Sequence, residues 1–363
     1  MDNSADENIS FDENGYCNYC NTAFSLKPYL YFPNKVGESK LKKLLNKLKI
    51  EGKGKEYDCL MGISGGLDST YLAYLGAVKW DLRILAVHVD DGFDTDLAKK
   101  NIAKLVKKAN INLITIVPDK EQFLDLNRAF FYAEVPNLAI PQDNLLLATL
   151  YRFAKEKKIN YFLSGANFAL ESILQKNTHP AHDLTHIKAI HKKFGTKSIE
   201  NLPLISFKQR LIINKLYHIK TLKPLNYIDY NKKRAIQELH DFSGFTYYEA
   251  KHLESKLTKI IQLIWFKEKF GVDKRTSHLS SLIVSDQMTR KEALTEYEKP
   301  LYDKQKIEED LTFVLNKLNI ERSEFDRILK QPPKKHTDYK TSWFLPVIRK
   351  LYNNEIMRSK IKV

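Results

Sequence analysis

The residues of this chain best suited to chemistry are Ser64-Gly65-Gly66-Leu67-Asp68-Ser69-Thr70. Consecutive glycines let backbone N–H groups close around a phosphate, because no Cβ blocks the approach. The hydroxyls of Ser64 and Ser69 add donors, and a helix starting here adds the positive end of its dipole. A carboxylate is out of place at an anion site unless a cation stands between, so Asp68 predicts a Mg2+ held through phosphate. The loop is not a Walker A sequence, since its spacing differs and no lysine follows the second glycine. The alternative is a glycine turn with an ordinary helix cap. The order strand, loop, helix favours the phosphate site.

Other stretches carry candidates of their own. VHVDDGFD (87–94) places Asp91 at the end of a second predicted strand, and SGANFALES (164–172) offers a glycine turn at Gly165, the amide of Asn167 and the carboxylate of Glu171. Cys17 and Cys20, in CNYC, have metal-ligand spacing. Two ligands do not close a zinc site, so the pair reads as a disulfide or a vestige, with Zn2+ as the alternative. His179, His182 and His186, in HPAHDLTH, read as a surface histidine-rich turn rather than a metal site. Trp265 and Phe266 read as core.

These residues need a scaffold to position them. From residue 57 the pattern alternates between strands (57–63, 83–89, 112–117, 161–163) and helices (68–79, 96–108, about 120–131, 143–158). That alternation predicts an α/β fold with an open parallel sheet covered on both faces. Such sheets place ligands at the carboxyl ends of their strands. After about residue 206 strand signals fade, and 254–270, 290–298 and 308–319 read as helices. The expected division is an entry segment at 1–55 with a helix at 41–49, an α/β domain at 56–205, and a mainly helical region at 206–363.

Composition narrows the class. With 363 residues, 43% of them hydrophobic, the chain can build a real core, which excludes fibrous and wholly disordered proteins. No apolar run approaches the ~18 residues of a membrane span. The acidic, polar start MDNSADENIS is unlike a secretory or mitochondrial leader, and only three cysteines occur; both point to a reducing cytoplasmic setting. The net charge is 59 − 44 = +15. Residues 201–363 hold 32 basic and 20 acidic side chains, net +12, leaving 27 − 24 = +3 for residues 1–200. A basic half suits nucleic acid, an acidic partner or an anionic small molecule, and charge alone does not choose among them.

SGGxDS in this setting resembles the PP-loop ATP pyrophosphatases, which split ATP between its α and β phosphates and adenylate an oxygen. Together with ISFDENGYCNYC (9–20), VHVDDGFD, SGANFALES, YYEAKHLESKLTKIIQ (247–262) and KFGVDKRTSHLSSLIVSDQMTRKEAL (269–294), the chain resembles the N-acetyl sugar amidotransferase family of surface-glycan biosynthesis over roughly residues 9–300. Residues 301–363 match nothing recognisable. The resemblance implies conversion of an acetamido group, on a sugar acid or nucleotide-linked sugar, to an acetamidino group through an O-adenylyl imidate. It implies ATP and Mg2+ as cofactors, with Ser64, Gly65, Gly66, Asp68 and Ser69 on the phosphates and metal. Asp91, Gly165 and Asn167 would complete the nucleotide site. Glu171, Lys251, His252, Glu254, Ser255, Asp273, Lys274, Arg275 and His278 would form the substrate wall, its cations clamping a carboxylate or diphosphate. The plain alternative for that wall is helix caps and i,i+4 surface pairs.

Ammonia must come from elsewhere. Neither the CNYC cysteines nor Cys59, inside the first strand, suits a glutaminase nucleophile, so a separate class I-like glutaminase subunit, or free ammonia in vitro, is expected. Two rivals remain at this stage. A tRNA-modifying PP-loop enzyme (lysidine synthetase- or thiolase-like) would explain the charge but not the KHxES and DKR stretches. A non-catalytic nucleotide-binding module would gain little from Asp68 beside phosphates.

Overall fold

The computed structural model describes residues 9–173, 179–248 and 251–345. Five strands, β1 (Cys59–Gly62), β2 (Ile84–Val89), β3 (Asn112–Ile116), β4 (Tyr161–Leu163) and β5 (Lys220–Leu222), form one all-parallel sheet of order β3-β2-β1-β4-β5. The first four lie where the apolar runs predict them. β5 goes unpredicted: it is three residues long, pairs with β4 alone, and its Lys220-Thr221-Leu222 carries no apolar run. The chain builds outward from β1 in one direction through β2 and β3, then returns to the other side with β4 and β5. The strand order therefore reverses between β1 and β4, where an open parallel sheet leaves a crevice at its carboxyl ends.

Along β1 the side chains alternate between two cores. Cys59, Met61 and Ile63 pack with Leu72, Tyr74, Ile102 and Leu239, while Leu60 packs with Leu85, Val87, Tyr151 and Phe162. Three helices on the first face, α1 (Asn18–Leu30), α2 (Lys35–Glu51) and α3 (Leu67–Tyr74), precede or follow β1, and α3 runs into a π-helical turn at Leu75–Lys79. Then come α4 (Asp96–Ala109), α5 (Lys120–Ala133), α6 (Ile140–Glu156), the single turn α7 (Phe168–Glu171), α8 (Leu184–Phe194) and α9 (Phe207–Tyr217). Beyond β5 lie α10 (Lys232–Ser243), α11 (Lys256–Ile260, continuing as π-helix Ile261–Lys269), α12 (Arg275–Val284), α13 (Arg290–Glu298), α14 (Lys304–Leu318) and α15 (Arg322–Lys330).

A third core joins early and late helices. Phe123, Phe130 and Phe131 of α5 pack with Leu311 and Val314 of α14, Phe325 of α15 and Trp265. Trp265 is fully buried and donates its indole N–H to the Val135 carbonyl at 3.0 Å, as core rather than platform. No helix among the described residues is long and apolar enough to cross a membrane.

Candidate active site

The loop after β1 is held from behind. His88 of β2 is buried, with Nδ1 2.9 Å from the Ile63 carbonyl and Nε2 3.0 Å from Asp94. Gly65 has φ +79°, and a Cβ there would stand 2.7 Å from the Ala98 carbonyl oxygen, so both conformation and space require glycine. Ser69 Oγ accepts the Ser64 N–H and lies 3.3 Å from Ser64 Oγ, while Ser64 Oγ accepts the Gly66 N–H at 3.2 Å. The first turn of α3 has no side-chain cap. Its N-terminus and the two serines thus present donors at the β1–β4 crevice, an arrangement that binds anions.

Asp68, on that first turn, is the best-partnered group in the site. Its Oδ1 accepts hydrogen bonds from Tyr230 Oη (2.6 Å) and Asn167 Nδ2 (3.1 Å), and its Oδ2 lies 2.8 Å from Lys251 Nζ. Lys251 also reaches Glu171 Oε1 at 2.9 Å, and His252 Nε2 lies 3.6 Å from the same oxygen. Burial opposes charge on Glu171, yet His252 and Lys251 hold its carboxyl well below the usual carboxylate range. Burial likewise pushes Lys251 down, but Asp68 and Glu171 win and raise it. Tyr230 is raised well above its ordinary value by burial and by Asp68, so it stays a hydrogen-bond donor. His252 sits in the left-handed region at φ +61°, an uncommon conformation for a non-glycine residue.

Both carboxylate oxygens of Asp68 are engaged, and the cation beside them is Lys251. Among the described residues no group of three His, Cys, Asp or Glu side chains is placed to hold a metal ion. The residues therefore fit a nucleotide arriving with its own cation.

Over the loop lies a cavity of about 220 Å3. Ser64, Gly66, Asp68 and Ser69 form its floor, and Gly165 and Glu171 one wall. Its roof brings Lys232, Tyr247, Tyr248, Lys251, His252, Glu254 and His278 from the later half of the chain. Gly165 packs tightly on α3, since a Cβ there would stand 3.1 Å from the Asp68 carbonyl carbon. Lys232 and Lys274 are lowered by burial and by the charge of Lys251, and His278 by burial and by His252 and Lys274. Burial thus works against the charged forms of these three groups, and an anion entering the cavity would favour their protonated forms.

Residues 243–352, 110 of 363, match the family model for the C-terminal domain of WbpG-like LPS biosynthesis proteins. That stretch is WbpG-like. It supplies Tyr247, Tyr248, Lys251, His252, Glu254 and His278, six of the seven roof residues, and it extends past residue 300, where the sequence resemblance stops. No curated protein matches the chain. Among solved structures, an NMN synthetase from Francisella tularensis is 18% identical over 74% of this chain and 98% of its own (TM-score 0.30). An NH3-dependent NAD synthetase from Campylobacter jejuni is 14% identical over 74% and 99% (TM-score 0.31). A U34-tRNA thiolase, NcsA, from Methanococcus maripaludis is 14% identical over 74% and 83% (TM-score 0.31). These are distant likenesses.

The structure also separates residues that the sequence groups together. Asp91 does not line the cavity: it is half-buried, accepts from Gln142 Nε2 and the Phe93 N–H, and desolvation pushes it up to about 6. In the WbpG-like stretch, Ser255 caps α11 through the Thr258 N–H. Arg275 is no clamp. It closes on Asp273 at 2.8 Å and donates to the Lys299 carbonyl, away from the cavity. Lys274 does not line the cavity but lies close enough to feel the charges of Glu171 and Lys251, its ammonium 5.9 Å from the Phe266 ring centre. Tyr230, Lys232, Tyr247 and Tyr248 are additions that sequence reasoning missed; Tyr248 Oη donates to the Gly65 carbonyl at 2.9 Å. The doublet Tyr247-Tyr248 just before KHLES was the one local signal for them.

One further expectation narrows and another changes. Cys17 and Cys20 are free thiols 3.4 Å apart at the start of α1, not a disulfide, and no third ligand joins them among the described residues. The histidines are not a surface turn. His186 is fully buried with Nε2 3.0 Å from His336 Nδ1, and His179 lies 2.9 Å from Asp183. Their partner His336 lies 150 residues away from His186.

Proposed function

We propose that this protein is a PP-loop ATP-dependent enzyme of surface-glycan biosynthesis that converts an acetamido group of a sugar acid or nucleotide-linked sugar to an acetamidino group. One observation carries the reading: the SGGLDS loop and the Lys251–Glu254 segment of the WbpG-like stretch face each other across one cavity at the β1–β4 crevice. The loop serines and the open end of α3 would bind the β and γ phosphates and stabilise the departing pyrophosphate. The acetamido oxygen attacks the α-phosphorus, and the α–β phosphoanhydride bond breaks. Ammonia then adds to the imidate carbon, and AMP leaves with the former amide oxygen, giving amidine, AMP and pyrophosphate. Asp68, fixed by Tyr230 and Asn167, keeps Lys251 pointed at the reacting phosphates. Mg2+ would enter with ATP as its complex. The ammonia would come from a separate glutaminase subunit, which would shield the adenylate from water.

The test is turnover by the purified protein with Mg-ATP, ammonium chloride and a panel of diacetamido sugar acids, free and nucleotide-linked. Mass spectrometry should show AMP, pyrophosphate and replacement of one oxygen by NH with a single sugar. AMP formed only with bulk tRNA would move the protein to nucleic-acid chemistry, and no AMP with any substrate would refute the adenylation.

A further inference from the structure

A carboxylate from outside the loop, besides Asp68 within it, stands against the residues assigned to phosphates. Glu254 Oε1 accepts a hydrogen bond from Ser64 Oγ at 3.1 Å. It also lies 2.7 Å from where a Cβ on Gly66 would be, so the second glycine makes room for this carboxylate. Backbone contacts impose its position. The Thr95 N–H donates to the Glu254 carbonyl at 2.9 Å, the Lys256 N–H donates to the Phe93 carbonyl at 2.7 Å, and Asp94 and Ser255 form an antiparallel bridge. The same brace holds the loop from behind, because Asp94 pairs with His88 and His88 contacts the Ile63 carbonyl. The nearby Lys251 ammonium is engaged by Asp68 and Glu171. A phosphate entering the loop therefore meets Glu254 as a fixed like charge at short range.

We propose that Glu254 is a specificity-determining residue: it makes the site accept metal-complexed polyphosphate and reject the uncomplexed anion. The inference rests on the reading of residues 64–69 as a phosphate loop. Uncomplexed ATP or pyrophosphate brings its whole negative charge against Glu254, whereas the Mg2+ complex arrives with that charge reduced by two. The hydroxyls of Ser64 and Ser69 serve both forms equally, so the discrimination falls to the carboxylate. A site built from the loop alone would instead prefer the more negative ligand.

The experiment is calorimetric titration of full-length protein with inorganic pyrophosphate, once in EDTA and once as its Mg2+ complex. Wild type should bind the complex, and bind the uncomplexed anion at least about tenfold more weakly. Glu254→Gln keeps the side-chain volume and an acceptor for Ser64. It should tighten binding of the uncomplexed anion at least about tenfold while changing the complex less than about threefold. Glu254→Ala should reproduce the gain, which shows that charge rather than amide orientation is responsible; equal melting temperatures confirm intact folds. If wild type binds the complex but the variants gain nothing for the uncomplexed anion, or gain equally for both forms, the inference is overturned and the loop assignment stands. If no protein binds pyrophosphate in either form, both fall.

Discussion

Asp68 and Asp183 are two aspartates with three or more close partners each, and they sit in different kinds of surroundings. Asp183 is fully buried, accepts from the Ser342 N–H (3.0 Å), Ser342 Oγ (2.6 Å) and the His186 N–H, and pairs with His179 at 2.9 Å. Two backbone N–H groups, a hydroxyl and the His179 ring are its partners among the described residues. Asp68 has a side chain 16% exposed, faces a cavity, and depends on Lys251 for its countercharge. A buried carboxylate satisfied by backbone and hydroxyl donors ties segments together, here α8 to the stretch after α15. A carboxylate balanced by one lysine at a cavity wall can exchange that partner, and exchange is what a binding site needs. Partner type and access, more than burial, set the two aspartates apart.

The sharpest way to break the contrast is to substitute both. Asp68→Asn should lower AMP formation by about 100-fold or more with little change in melting temperature, since Tyr230 keeps the new amide oxygen and Lys251 keeps Glu171 as partner. Undiminished turnover would remove Asp68 from the chemistry. Asp183→Ala should do the reverse, costing about 2–4 kcal/mol in chemical denaturation because Ser342 and His186 lose their acceptor in the interior, with turnover per folded molecule unchanged. A stable Asp183→Ala protein with reduced turnover would invert the assignment.

Acid should also separate the two regions. Burial lowers His182 and His186 to about 4 and His336 to about 3, with neighbouring cationic groups adding to the effect. Between an unfolded value near 6.5 and those values, the unfolded chain takes up protons that the folded cluster refuses. Stability is therefore intact above pH ~6.5 and falls as pH drops toward ~4, by at most on the order of 3 kcal/mol per imidazole. Asp183 is shifted the other way, and its contribution is lost only below the unfolded carboxylate value near 3.9, outside this window. Denaturation midpoints from pH 7.5 to 4.5 should slope accordingly, and His186→Asn should flatten the slope. The smallest effect is beside the cavity: Lys274→Ala should raise the KM of the acetamido substrate several-fold and that of ATP little, whereas Arg275→Ala should move neither. A KM effect from Arg275→Ala would restore it as a clamp.

The parts of this picture legible in sequence are those whose residues are contiguous. The phosphate loop reads directly because glycines, hydroxyls and a helix start fall within seven residues, and four strands read because buried parallel strands are continuous apolar runs. β5 did not, being short and at the sheet edge. Tyr230 and Lys232 escaped because their link to Asp68 spans some 160 residues and leaves no periodic trace. Arg275 misled for the opposite reason: the carboxylate that neutralises it, Asp273, stands two residues before it, and adjacency in sequence hides which charges are already paired. The histidines misled because a turn rich in them looks exposed until His336 folds over it.

The placement of the tryptophans makes the contrast visible in light. Trp265 is sealed in the helical core with its indole N–H bonded, Trp80 is half-buried, and Trp343 is 83% exposed, one residue from the Ser342 that caps Asp183. Emission from Trp343 should be red-shifted and open to iodide, and that from Trp265 blue-shifted and shielded. The segment over the histidine cluster and the helical core therefore carry separate intrinsic dyes, one for each fate of the chain in acid.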